Sequence, residues 1–279
     1  MGKQVRPTVY DLLAMKGKRQ LSMLRVVSLE EAEAAEAAGI DLISVPPALL
    51  CDPRFRDAAP GRFAIPGGEY GQNGATTDEI LRWAVKMRAA SADAVYCAAS
   101  LQTIRRLRDE YIPVCGHTGL IPSHATWTGG FRAVGKSAAT AVLVYKQVKD
   151  LEAAGAFSAE IEVVPAEVAT AISERTSMLM ISMGAGSGCD AQYLFSEDVL
   201  GLNRGHYPRH AKVYRKLAAE YDRIQAERIA AFREYAADIE SGAYPEERHC
   251  APMDAEELKT FLTRLQVDAW AGNSSRPSD

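Results

Sequence analysis

Short apolar runs alternate with amphipathic or alanine-rich segments over the first 205 residues, a rhythm that predicts strands and helices in turn. Residues 21–27 read as a strand. Ser28 then stands as N-cap to LEEAEAAEAAG, whose alanines and glutamates favour helix and which Gly39 closes. Further strands are predicted at 41–45, 63–65, 94–97, 112–115, 160–164, 178–183 and 193–195. Helices are predicted at 77–90, 101–111, 137–153 and 167–174. Residues 49–61 lack a period and read as a loop; 66–76 are glycine-rich and read as a mobile one. Eight strands alternating with helices predict a parallel sheet, and the count suits a closed (β/α)8 barrel of the TIM type better than an open Rossmann sheet. No GxGxxG follows the first strand, which lowers the dinucleotide reading.

The same pattern sets the expected organisation of a single domain. Residues 1–20 form a polar, basic lead-in with a helical patch at 9–15, and 21–205 the barrel. The tract 206–268 reads as extra C-terminal helices packing on the barrel, with two helices in 208–240 and one in 252–265. Residues 269–279 read as a disordered tail.

Composition narrows the function classes. A chain of 279 residues with 47% hydrophobic content can bury a full barrel core. A net charge of −4 with no basic face argues against a nucleic-acid partner. The five cysteines are scattered, with no CxxC pair, so neither a disulfide framework nor a zinc site is expected. With no signal-like apolar segment and no run approaching about 18 apolar residues, no membrane partner is expected. The expectation is a cytoplasmic protein acting on a small molecule.

Candidate chemistry centres on residues 158–167, SAEIEVVPAE. A strand buried on both faces should be nearly all apolar, so Glu162 must be paired, neutralised or used. At the C-terminal mouth of a barrel strand, a carboxylate with a raised pKa is a natural general base. An ion-paired structural glutamate, or one facing the helix layer, fits the same residues. The other ionisable residues expected at the mouth are His117, between Gly116 and Thr118-Gly119, and less directly Glu69 and Asp190. A lone histidine is also often a satisfied core residue. The GAGSG run at 184–188 suits either an anion cradle of backbone N–H groups or a plain tight turn. Magnesium chemistry asks for two or three carboxylates at the mouth, and the early strand ends offer proline, glycine and alanine.

Several stretches carry a family likeness. GHTGLIPSHATWTGGFRAVGK (116–136), LEAAGAFSAEIEVVPAEVATAISERT (151–176) and ISMGAGSGCDAQYLFSEDVLGL (181–202) resemble motifs of ketopantoate hydroxymethyltransferases. KGKRQLSMLRV (16–26), AGIDLISV (38–45) and the region 207–249 are similar to that family's first strands and C-terminal helices. The resemblance implies a barrel of the phosphoenolpyruvate/isocitrate-lyase-like superfamily, assembled as a homo-oligomer, commonly a decamer. It implies a reaction in which a hydroxymethyl group from methylene-tetrahydrofolate joins 3-methyl-2-oxobutanoate. Magnesium holds the 2-oxo acid, and a glutamate at the position of Glu162 removes the C3 proton beside a histidine at the position of His117.

The departures fall on the metal. Where the family places glycine–aspartate–serine, this chain has Pro46, Pro47 and Ala48. The second aspartate aligns with Ala64, and lysine–leucine–glutamate with Tyr96, Cys97 and Ala98. The segment between the second and third strands is short and reads as lacking a helix. The expectation is therefore a metal-independent relative in specialised metabolism, with no metal ligands and no cofactor. It would use Glu162 and His117 to enolise, or to make or break a C–C bond, on a carbonyl substrate such as a 2-oxo acid. Tyr96, Pro47, Ala48, Ala64, Ala98 and Gly186 would line the substrate. Two alternatives stand: a standard hydroxymethyltransferase whose metal site is rebuilt from Asp52 or Glu69, and a non-catalytic assembly or binding relative.

Overall fold

Alternating side-chain direction along short extended segments sorts this chain into a lumen and a shell. The computed structural model describes residues 6–67 and 73–273, with side chains through residue 265. Its strands are β1 Leu21–Arg25, β2 Leu42–Val45, β3 Phe63–Pro66, β4 Val95–Tyr96, β5 Val114–Gly119, β6 Ser158–Glu162, β7 Leu179–Met183 and β8 Ala191–Phe195. All pair in parallel, in the order β3-β2-β1-β8-β7-β6-β5-β4. The remaining gap, between β3 and β4, is bridged by Asp93. Its N–H donates to the Ala64 carbonyl at 3.0 Å, and its carboxylate accepts from the Ala64 N–H at 2.8 Å. The barrel is thus closed there by one residue rather than by a ladder.

Leu21, Met23, Leu42, Phe63, Ile65, Leu179, Ile181 and Tyr193 fill the lumen, and Leu12 from helix Val9–Ala14 joins the same cluster. The alternate residues Ile43, Val45, Ala64, Val95, Val114, Ala159, Ile161 and Met180 pack against the helices outside. Local signals start those helices where the sequence predicts. Ser28, Thr76, Ser100 and Ser137 each accept the N3 backbone N–H of the following helix, Leu29–Ala38, Thr77–Ala89, Leu101–Asp109 and Ala138–Ala153.

Three expectations need correction. The stretch between β2 and β3, including the aperiodic segment 49–61, carries two one-turn helices, Pro47–Leu50 and Phe55–Ala58, the second anchored by the fully buried Phe55 ring. Strand β5 runs on to Gly119, so His117 lies inside the strand rather than beyond its end. Residues 208–216 are not helical, and the tract carries one 25-residue helix, Leu217–Ser241. The chain divides into two compact units, Met1–Ala218 and Ala219–Asp279. The second holds most of that long helix, a 3-10 turn at Glu247–His249 and helix Ala255–Asn273, which extends past the predicted end at 265. Residues 274–279 of the expected tail lie outside the described residues. No helix among the described residues is long and apolar enough to cross a membrane.

Candidate active site

Because β4, β5 and β6 are neighbours and side chains alternate along them, Tyr96, His117, Glu160 and Glu162 all project to the lumen side. The β5–β6 register sets His117 opposite Glu160 and Gly119 opposite Glu162. They reach one cavity of ≈ 310 Å³ at the C-terminal mouth, whose wall also includes Arg25, Ser44 and Tyr193.

His117 is the hub. Its side chain is 3% exposed, and the Tyr96 hydroxyl lies 2.6 Å from Nδ1. Burial and the charge of Glu160 push the Tyr96 phenol well above its ordinary range, so it stays protonated; with the phenol donating to Nδ1, the proton of a neutral imidazole is on Nε2. Nε2 has Glu162 Oε2 3.1 Å away yet makes no hydrogen bond, because the carboxylate stands off the N–H axis. A buried N–H without an acceptor is costly, and here it faces a cavity.

Glu160 lies one layer deeper, its Oε2 3.8 Å from His117 Nδ1 and its side chain almost fully buried. Burial raises its pKa to about 7, with His117 and Arg25 pulling it down and Glu162 pushing it up.

The turn after Glu162 is strained. Val163 has φ of 48°, a left-handed conformation that a branched Cβ resists. It is held there by its N–H donating to the Met183 carbonyl at 2.9 Å and its carbonyl accepting from Val134 at 3.1 Å. Across the register, Gly119 has φ of 82°, and a Cβ there would strike the Glu162 carbonyl and Val164. Both features fix how the chain leaves Glu162.

Of the residues predicted from sequence, Glu162, His117 and Tyr96 converge on this cavity. The others do not line it. Pro47 and Ala48 belong to the one-turn helix beyond β2, and the wall there is supplied by Ser44. Ala64 points to the helix shell and is fully buried, since its neighbours Phe63 and Ile65 take the lumen face. Ala98 lines a separate cavity of ≈ 170 Å³ with Cys97, Leu101 and His124, which touches the other side of His117. Gly186 sits in a turn packed on helix Ala166–Ser173, where a Cβ would strike Ala166. Its carbonyl accepts from Ser182 Oγ and Gln192 Nε2 at 2.8 and 2.9 Å, which fixes the turn. Asp190 lies on the opposite end of the barrel, bonded to Lys16 at 2.6 Å. Asp52 pairs with Arg54 at 2.8 Å outside the cavity, and Glu69 lies outside the described residues.

Sequence reasoning missed Glu160, Arg25 and Tyr193. The signal for Glu160 was available, because residues two apart on a strand share a face and Glu160 and Glu162 are so spaced.

A divalent cation needs convergent oxygen donors. Among the described residues no group of three or more His, Cys, Asp or Glu side chains is placed to hold a metal ion. The positions that the resemblance assigns to metal carboxylates carry Pro47, Ala64 and Ala98. This donor set does not fit magnesium.

A parallel barrel with acid, imidazole and phenol gathered at the C-terminal mouth has the architecture of a (β/α)8-barrel enzyme. A crystal structure described as a phosphonomutase from Burkholderia cenocepacia shares that fold, with a TM-score of 0.53 and 12% identity, covering 67% of this chain and 91% of that one. Residues 65–247 match the family model for ketopantoate hydroxymethyltransferase. The chain is 31% identical to the 3-methyl-2-oxobutanoate hydroxymethyltransferase of Nitratidesulfovibrio vulgaris, over 95% of this chain and 92% of that protein. It is 34% identical to that of Deinococcus radiodurans, over 85% and 90%, and 30% identical to that of Kosmotoga olearia, over 85% and 94%. The chain belongs to the ketopantoate hydroxymethyltransferase family.

Proposed function

We propose that this chain uses Glu162 as the general base on a 2-oxo acid or a closely related carbonyl compound, without a divalent metal. The carboxylate of Glu162 takes the proton from C3. The C–H electrons become the C2–C3 double bond of an enolate, and the carbonyl π electrons pass to the C2 oxygen. That oxygen is received by the Nε2–H of His117, which Tyr96 holds in the required tautomer. The enolate carbon C3 then attacks a carbonyl electrophile: the C2 carbonyl re-forms, the electrophile's π bond opens to an alkoxide, and that alkoxide takes back the proton from Glu162, while the reverse sequence breaks a C–C bond.

The observation that carries this reading is the buried, unpartnered Nε2 of His117 beside Glu162. One preorganised donor to a developing oxyanion is worth about 3 kcal/mol of barrier. The relatives' transfer of a hydroxymethyl group to 3-methyl-2-oxobutanoate supports the substrate class, and the bare ends of β2, β3 and β4 support a role outside the ordinary reaction, in specialised metabolism. The resemblance also supports a homo-oligomer, which sedimentation velocity reads directly.

The test is exchange of the C3 proton of 3-methyl-2-oxobutanoate in D₂O, followed by NMR with EDTA or with magnesium. We expect exchange that survives EDTA and falls about 10²- to 10⁴-fold in Glu162→Gln, with the variant's melting temperature little changed. Exchange that appears only with magnesium would restore a metal-dependent mechanism. No exchange under either condition would remove 2-oxo acids as substrates.

A further inference from the structure

Arg25 is a cation in the cavity wall that the mechanism above does not use. It ends β1, four strands away from β5 in either direction around the barrel, and so faces His117 across the mouth. Its guanidinium stands 5.8 Å from the centre of the Phe195 ring, donates one long bond to Ser44 Oγ at 3.5 Å and interacts with the Tyr193 hydroxyl. None of the acids in the cavity wall occupies it. Glu160 and Glu162 lie within ion-pair distance of His117 instead, and Asp198 accepts from Asn203 at 3.3 Å. A guanidinium has five N–H donors in a planar fork that matches a carboxylate, and here its side chain lines the cavity with the Ser44 and Tyr193 hydroxyls as its hydrogen-bond partners.

We propose that Arg25 anchors the carboxylate of the substrate in this cavity, fixing one end of a 2-oxo acid opposite Glu162. In such an acid the carboxylate, the carbonyl and the C3–H sit on consecutive carbons. With the first on Arg25, the second and third extend across the cavity towards His117 Nε2 and Glu162, which are themselves 3.1 Å apart. A metal that chelates carboxylate and carbonyl together becomes unnecessary, because the two groups are received separately. Glu160, held largely protonated below about pH 7 by its burial, adds little repulsion to an incoming anion. The bland account of Arg25 is a counter-charge to Glu160, and it predicts no preference between charged and neutral ligands.

This inference rests on the reading of Glu162 as base, so its test is a binding measurement. Titration calorimetry in EDTA would compare 3-methyl-2-oxobutanoate with its methyl ester on the intact chain. The acid should bind at least tenfold more tightly than the ester. Arg25→Met should erase that preference, Arg25→Lys should keep part of it, and Glu162→Gln should keep all of it while losing C3 exchange. Equal binding of acid and ester by the unmodified chain overturns the proposal without any variant, as does an Arg25→Met protein that keeps the preference. If Arg25→Met fails to fold, the unmodified chain and Arg25→Lys decide. Acid preference without C3 exchange would leave the anchor standing and remove the base; exchange with no acid preference would do the reverse.

Discussion

The two ends of the barrel both carry buried acids, and they treat them in opposite ways. At the floor, Asp41, Asp93 and Asp190 stand immediately before or close to the start of β2, β4 and β8, and each is saturated. Asp41 accepts from Arg19 and from Ser22 N–H and Oγ, and these partners hold it below the usual carboxylate range although burial pushes it up. Asp93 has Arg56 and the Ala64 N–H, both at 2.8 Å. Asp190 has Lys16, Ser173 Oγ and the Met180 N–H at 2.6, 3.2 and 2.8 Å. At the mouth, Glu160 and Glu162 have only His117 within ion-pair distance among the described residues, and the free nitrogen of that histidine has no hydrogen bond. Fully partnered charges hold a fold together; under-partnered ones wait for a ligand.

That contrast can be attacked from both ends. The largest stability effect belongs to the floor. Asp190→Ala strands the Lys16 ammonium and the Met180 N–H, and should lower unfolding free energy by about 3–5 kcal/mol in chemical denaturation, while C3 exchange per folded molecule stays within about twofold. A stable variant, or one with intact stability and lost exchange, would collapse the distinction between floor and mouth.

Glu160→Gln should act through pH. The carboxyl is raised from 4.5 to about 7 in the fold, so between those values the unfolded chain releases a proton that the native chain keeps. Native stability therefore falls as pH rises through that window, by on the order of 3 kcal/mol. The glutamine variant lacks this slope. Its stability relative to the unmodified chain should climb from pH 4.5 to 7 and then level off, and a flat difference would mean Glu160 is not buried as described.

The smallest effect is expected from Tyr96→Phe. Loss of the donor to Nδ1 frees the imidazole tautomer, and a net hydrogen bond is worth about 1 kcal/mol. C3 exchange should slow roughly fivefold with an altered pH profile, and an unchanged profile would remove Tyr96 from the positioning role.

How much of this could be read in the sequence varied with the physics involved. Every strand was visible because β-rich apolar runs bounded by caps are local signals. Glu162 was visible because a carboxylate in an apolar run is conspicuous, and His117 because it stands among glycines next to a predicted strand end. The face that each residue takes was harder. Ala64 was read as lining the substrate, yet one step of register along β3 turns it to the helices, where Phe63 and Ile65 cannot follow. The two turns of helix in 47–58 carry no period because each is a single turn, the second anchored by the tertiary burial of Phe55 rather than by pattern. Arg25 was invisible for a different reason. Arg25 stands inside the predicted strand 21–27, where a long side chain is read as carrying its charge out to solvent, and only closure of the barrel brings it across from His117.

The left-handed Val163 has a consequence for how this protein can change. A β-branched residue at φ of 48° carries roughly 1–3 kcal/mol of backbone strain, next to the carboxylate proposed as the base. Glycine or asparagine would relax that bend, so a search for hardier variants should find substitutions at this position readily. Such variants would tolerate heat better and aim Glu162 less well. Robustness and turnover would then be opposed at a single peptide unit, and the route by which this barrel could be made more durable is also the route by which it would lose its chemistry.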